Sequence, residues 1–171
     1  MNNNDILIRI RYALDIKDTD MVNIFKLGGI DVTKEEVLKM LVSKNVDDNN
    51  DYEIEDNEDS LKCSNVMLES FLNGFIIFKR GKLDQKQGEP ERPKLSIKNN
   101  RNVNNVMLKK MKIALALSSE DMLDILKEAG VIITKGELSA VFRKEGQKNY
   151  KECGDRYARN FLKGLTIKYR K

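Results

Sequence analysis

Histidine and tryptophan are absent from this 171-residue chain, and it has only two prolines and two cysteines. The lack of histidine excludes imidazole-based catalysis and imidazole metal sites outright. An enzyme built on this sequence has to work with Asp, Glu, Lys, Arg, Tyr or Cys, and nothing pairs carboxylates among them. Long apolar runs are missing too. The greasiest stretch, FLNGFIIF at 71–78, is less than half the roughly 18 residues of a membrane span, and the N-terminus shows no apolar signal segment. No membrane contact is therefore expected, and two cysteines fit reduced thiols in a cytoplasmic protein. No phosphate-cradling glycine loop, nucleophile elbow or zinc spacing occurs, so no catalytic residue, cofactor or metal ligand is assigned.

What the chain does contain is its own sequence twice. Residues 3–37 lie without a gap on 104–138, and CSNVMLESFLNGFIIFKR from Cys63 lies on CGDRYARNFLKGLTIKYR from Cys153. Positions kept in both copies are those the fold demands: Ala13/Ala114, Ile24/Ile125, Gly29/Gly130, Thr33/Thr134, Cys63/Cys153, Phe71/Phe161 and Gly74/Gly164 among them. Residues that differ are the better candidates for function, because the scaffold alone does not require them.

Both copies read as helices. Ile6, Leu7, Ile10, Ala13 and Leu14 keep 3-4 spacing, as do Met107, Leu108, Met111, Ala114 and Leu115. Asp18 and Ser118 are read as caps of the second helix, which Gly28-Gly29 and Gly130 close. Thr33 with Glu36, and Thr134 with Glu137, open the third as capping boxes, and the fourth starts after Cys63 or Cys153, capped by Ser64 or Asp155. The expected fold is all-α. It has two tandem modules of about four helices, 1–81 and 103–171, packed together across a flexible linker at 82–102. Each copy, at about 70–80 residues, is near the lower limit for an independent core, which favours such packing.

Helices two and three resemble a helix-turn-helix, but Gly136 and Ser139 fall where apolar packing residues belong, so an ordinary αα-hairpin is the default. The acidic run at 46–60 lacks the central glycine and terminal glutamate of a calcium loop and reads as a solvated loop.

Charge divides the copies. Residues 1–78 hold 8 Lys/Arg against 16 Asp/Glu, whereas residues 101–171 hold 16 against 8. Arg156, Arg159, Lys163 and Arg170 follow 3-4-7 spacing along the fourth helix of copy two, where copy one has Val66, Glu69, Asn73 and Arg80. Lys144, Lys148 and Lys151 surround Tyr150 in the preceding loop, a residue able to stack on a base. Cations around an aromatic suit a phosphate backbone and an unstacked base, which makes RNA or DNA the candidate partner. The competing reading is a solvated face, or one paired with the acidic half. A thiol near a helix start can be activated, with Lys62 or Lys151 beside it, yet a cysteine kept in both copies fits buried packing better.

The RYAL…MVNIFKLGG, SFLNGFIIFKRG, NNVMLKKMKIAL and KNYKECGDRYARNFLKGL segments resemble the bacterial YehS-like proteins, a family classed as a domain of unknown function. The resemblance spans both copies and implies an all-helical duplicated fold, with no established reaction, ligand or partner. Relatives commonly have histidine just before KNY, where this chain has Gln147. The expected function is a non-enzymatic binding or regulatory role, with nucleic acid on the basic module. The alternative is a protein–protein adaptor or homodimer in which acidic and basic modules pair. A thiol-dependent enzyme or redox sensor is a third class.

Overall fold

The computed structural model describes residues 1–42, 61–81, 97 and 102–170. The described residues form helices and no strand: α1 (Asn3–Leu14), α2 (Asp18–Leu27), α3 (Lys34–Met40), α4 (Asn65–Arg80), α5 (Val103–Ala114), α6 (Ser119–Glu128), α7 (Lys135–Phe142) and α8 (Asp155–Tyr169). The all-helical expectation holds. The acidic run at 46–60 and all of the 82–102 linker except Ile97 and Asn102 lie outside the described residues.

The 3-4 apolar spacing does set the buried faces. Ile6, Leu7, Ile10 and Ala13 of α1, and Met107, Leu108, Met111 and Ala114 of α5, are buried at matching positions. Caps follow the sequence in part. Thr33 and Glu36 close a full capping box, and Ser118 caps α6 through the Asp121 N–H. Two caps differ from expectation. Lys17, not Asp18, precedes α2, because the Asp18 carboxylate is drawn to Arg11 at 2.6 Å. Gly154, not Asp155, precedes α8, because the Asp155 side chain turns to Asn104 and to the N-terminal ammonium. The connections 28–33 and 129–134 are six residues each, longer than the about 3–4 of a helix-turn-helix.

An asparagine pair at the start of each half holds the later elements in place. Asn4 donates to the Met40 and Leu61 carbonyls at 3.0 and 2.7 Å and accepts from the Cys63 N–H at 2.9 Å. Asn105 repeats this on Val141, Lys151 and Cys153, each at 2.9 Å. Their neighbours Asn3 and Asn104 bond the carbonyl of the same cysteine and the first residue or turn of α4 and α8. One amide thereby ties the end of the third helix to the entrance of the fourth. The intervening loops close on equivalent backbone bonds, Leu61 N–H to Lys39 and Lys151 N–H to Ala140. Doubling a loop costs only about 0.6 kcal/mol, so a fixed base tolerates loops of different length and charge.

Glycine permits the close packing of α4 on α2 and of α8 on α6. A Cβ at Gly74 would collide with the Ile24 carbonyl, and one at Gly164 with the Ile125 carbonyl. Backbone is the obstacle in both cases, so no rotamer change relieves it.

The halves join reciprocally, α1 against α8 and α4 against α5, and their buried apolar residues form one continuous core. Arg170 donates to the Tyr12 carbonyl at 3.0 Å with its guanidinium 4.1 Å over the Tyr12 ring, and Arg80 donates to the Ile113 carbonyl at 3.1 Å. The α4–α5 side also buries charge. Glu69 is fully buried, 3.6 Å from the Lys110 ammonium, which in turn bonds Asn73 at 2.6 Å. From sequence, the Arg9/Arg11 and Lys110/Lys112 pairs are expected to meet Asp20 and Asp121. The ion pairs at Arg11 and Lys110 are instead with Asp18 and Glu69. Ile97 donates its N–H to Glu69 at 2.7 Å, which fixes this point of the linker to α4.

The two helical glycines of the second half should respond oppositely to a methyl group. Gly164→Ala should lower stability by about 1–3 kcal/mol through overpacking, while Gly136→Ala, in open space within α7, should raise it by up to about 1 kcal/mol. Urea unfolding of both variants checks the contrast. Asn105→Ala strands two carbonyls and one N–H and should cost about 2–4 kcal/mol; a change below about 0.5 kcal/mol in the same measurement would refute the clamp.

Candidate nucleic-acid interface and adjoining cleft

The eight candidate residues do not form a single uniform patch. Lys144 and Lys148 are exposed in a loop whose backbone is braced: the Gln147 side chain accepts the Lys144 N–H at 3.0 Å, and Arg143 bonds the Lys148 carbonyl at 3.0 Å. Gly146 and Asn149 adopt positive φ, 91° and 66°, and turn that loop back toward α8. Lys151 is exposed with its backbone fixed at both ends by Ala140 and Asn105. Arg156 and Lys163 are exposed on one face of α8, seven residues apart.

Three candidates sit differently from the expectation of a free basic stripe. Arg170 lies just beyond α8 and is engaged by α1, on the Tyr12 ring and carbonyl and 3.6 Å from Asp15. Its recurrence as Arg80 therefore has a structural cause. Arg159 is half-buried and close enough to Asp155 to influence its charge. Burial pushes the Asp155 carboxyl up, but bonds from the N-terminal ammonium and Asn104, with Arg159 adding attraction, leave it below the ordinary carboxylate value. Tyr150 is half-buried, and its hydroxyl is enclosed without a hydrogen-bond partner among the described residues. Burial, then Glu145 and Glu152, raises that phenol.

Both cysteines are buried, and each thiol approaches only the next residue's carbonyl, at 3.7 Å. Burial pushes Cys63 and Cys153 up to about 12. A thiol held protonated is a poor nucleophile, and Lys62 and Lys151 do not offset the burial. Both cysteine side chains belong to the buried core, and their backbone N–H groups are held by the asparagine clamps.

Lys151 and Arg156 converge on a cleft of about 490 Å³ between the α6–α7 connection and the start of α8. Val131, Ile133 and Val141 line it together with Glu137, Tyr157 and Asn160. Ile132 on the rim is 84% exposed. The Tyr157 hydroxyl is enclosed and has no hydrogen-bond partner among the described residues. Burial foremost, then Cys153 and Glu137, raises the phenol, so it is a neutral donor. An enclosed hydroxyl without a partner costs about 1–3 kcal/mol. Subtracting one copy from the other is enough to find these residues: Tyr157 stands where copy one has Met67, Asn160 where it has Ser70, and Ile132 where it has Asp31. A comparison confined to added cations passes over all three. Among the described residues no cluster of His, Cys, Asp or Glu could hold a metal ion, and no helix is long and apolar enough to cross a membrane.

A family model described as a protein of unknown function (DUF1456) matches residues 3–81 and 104–171. The Escherichia coli (strain K12) protein "Uncharacterized protein YehS" is 37% identical over 169 residues, which are 98% of this chain and 96% of that protein. No solved structure matches the chain.

The buried thiols predict an alkaline limit to stability. The folded state keeps protons that the unfolded chain releases near the ordinary value of 9.0. Their contribution is complete below about pH 9 and is lost as pH rises toward about 12. The Cys63→Ala/Cys153→Ala variant should therefore lose less stability than wild type when urea unfolding is repeated at increasing alkaline pH. Parallel pH profiles would contradict it.

Proposed function

The chain belongs to the DUF1456 family, and for this member we propose a non-enzymatic role in which the second half binds single-stranded nucleic acid. The observation that carries this reading is the placement of Arg156 and Lys163 on an exposed face of α8, with Lys144, Lys148 and Lys151 exposed in the braced loop before it. The corresponding α4 positions are Val66 and the buried Asn73, so the scaffold does not require cations there. Cations held on ordered backbone meet a phosphate chain with little further loss of backbone freedom, and each neutralised phosphate releases counterions. Tyr150 stands half-buried beside them. Arg170 is left out of this interface because Tyr12 and Asp15 already hold it.

A second reading, an adaptor that pairs acidic with basic surface, draws support from the same junction. Arg170 with Asp15, and the N-terminal ammonium with Asp155, already join the halves by opposite charge. Such pairing within the chain reduces what remains for pairing between chains. Light scattering that shows a salt-sensitive dimer would favour the adaptor over strand binding.

For strand binding, fluorescence anisotropy with a labelled single-stranded RNA of about twenty nucleotides is the test. Affinity should fall steeply with salt. The Arg156→Glu/Lys163→Glu variant should bind at least about tenfold more weakly and flatten the salt slope by about 1 for each phosphate it no longer neutralises. Absence of binding at low salt would remove the reading.

A further inference from the structure

We propose that the cleft at the start of α8 is a binding site for a nucleoside 5′-monophosphate group, carried either by a free nucleotide or by the 5′ end of a strand. It shares Arg156 and Lys151 with the strand-binding face, and to that extent rests on that reading, but the cavity itself carries it. At about 490 Å³ it falls within the roughly 300–1,000 Å³ of small-molecule sites. Its chemistry is divided. Arg156 and Lys151 supply two cations at one edge, suited to a terminal phosphate that bears up to two charges. Backbone N–H groups at the start of α8, where Gly154 provides no side-chain cap, add to that edge. The lining also includes Glu137, an acceptor for adjacent N–H donors such as those on the Watson–Crick edge of guanine.

Among the lining residues are also Ile133 and the exposed Ile132, apolar surface for a flat base. Tyr157 lines the same cleft, while its hydroxyl is enclosed within the fold. Carboxylates among the lining residues balance the cations, so a bare anion gains less here than a ligand bearing both a phosphate and N–H donors. A nucleotide has both. The scaffold does not require Lys151, Arg156, Tyr157 or Ile132, since copy one has Leu61, Val66, Met67 and Asp31 at those positions, whereas Glu137 recurs as Glu36.

Isothermal titration of the full chain with guanosine 5′-monophosphate tests the site, alongside guanosine and two oligoribonucleotides that differ only in a 5′-phosphate or 5′-hydroxyl. Guanosine 5′-monophosphate should bind and guanosine should bind at least about tenfold more weakly. Arg156→Gln and Lys151→Gln should each reduce the nucleotide's affinity about tenfold, with circular dichroism unchanged. Preference for the 5′-phosphorylated strand assigns the group to strand ends; equal strand binding with retained nucleotide binding assigns it to free nucleotide. Failure of the nucleotide to bind, with strands bound equally, overturns the cleft and leaves the strand-binding face standing. Nucleotide binding without RNA binding supports the cleft and overturns that face. Binding unchanged by both substitutions overturns the cleft.

Discussion

Two buried asparagine amides hold each half of this protein together. Asn4 and Asn105 each saturate three backbone groups that belong to distant parts of the chain: the last turn of a short helix, the residue two before a cysteine, and the cysteine itself. Hydrophobic burial draws helices together but says little about where a connecting loop must end. A buried amide does, because leaving any of its partners unpaired costs about 1–3 kcal/mol each. With the loop base fixed this way, its contents are free to vary. Copy one places an acidic run there and copy two a shorter basic turn, while the fourth helix begins from an equivalent clamp in both.

The same reuse governs the joint between the halves. Each half offers its first helix to the other's fourth, and an arginine at the end of each fourth helix caps a carbonyl across the joint. Around that shared frame the chemistry diverges. On the α4–α5 side, Glu69, Asn73 and Lys110 form a buried polar set closed over by Ile97. Such a pair stabilises modestly because desolvation opposes the attraction, and indeed burial outweighs Glu69 in lowering the Lys110 ammonium. On α8 the corresponding surface carries Arg156 and Lys163 facing outward, next to a cleft that copy one does not build with the same residues.

Much of this is legible from the residues. Periodicity marks the buried stripes of α1 and α5, and Thr33, Ser118 and the paired glycines mark helix ends, because these depend on neighbours within a turn or two. Asp18 and Asp155 look like caps in sequence but are not, because each carboxylate has a stronger partner farther away, Arg11 in one case and the N-terminal ammonium with Asn104 in the other. The cysteines look like chemistry or packing. Burial in the core bears out packing, while the backbone bond from each cysteine N–H to asparagine leaves no mark in the sequence. Arg170 matches the stripe by spacing alone, and spacing carries no information about Tyr12, 158 residues away in sequence.

The sequence alone determined the all-helical class, the registers of the buried faces, the duplication and the lopsided charge, all of them properties of local order or composition. Tertiary structure decided which cations are committed and which stand exposed, and it brought Lys151, Arg156, Tyr157 and Ile132 to one cleft. The physical reason is that solvation of a charge or a hydroxyl depends on what the other half, or a distant turn, lays against it. Helical spacing says which residues share a face; only packing says whether that face meets water, a partner helix or a cavity.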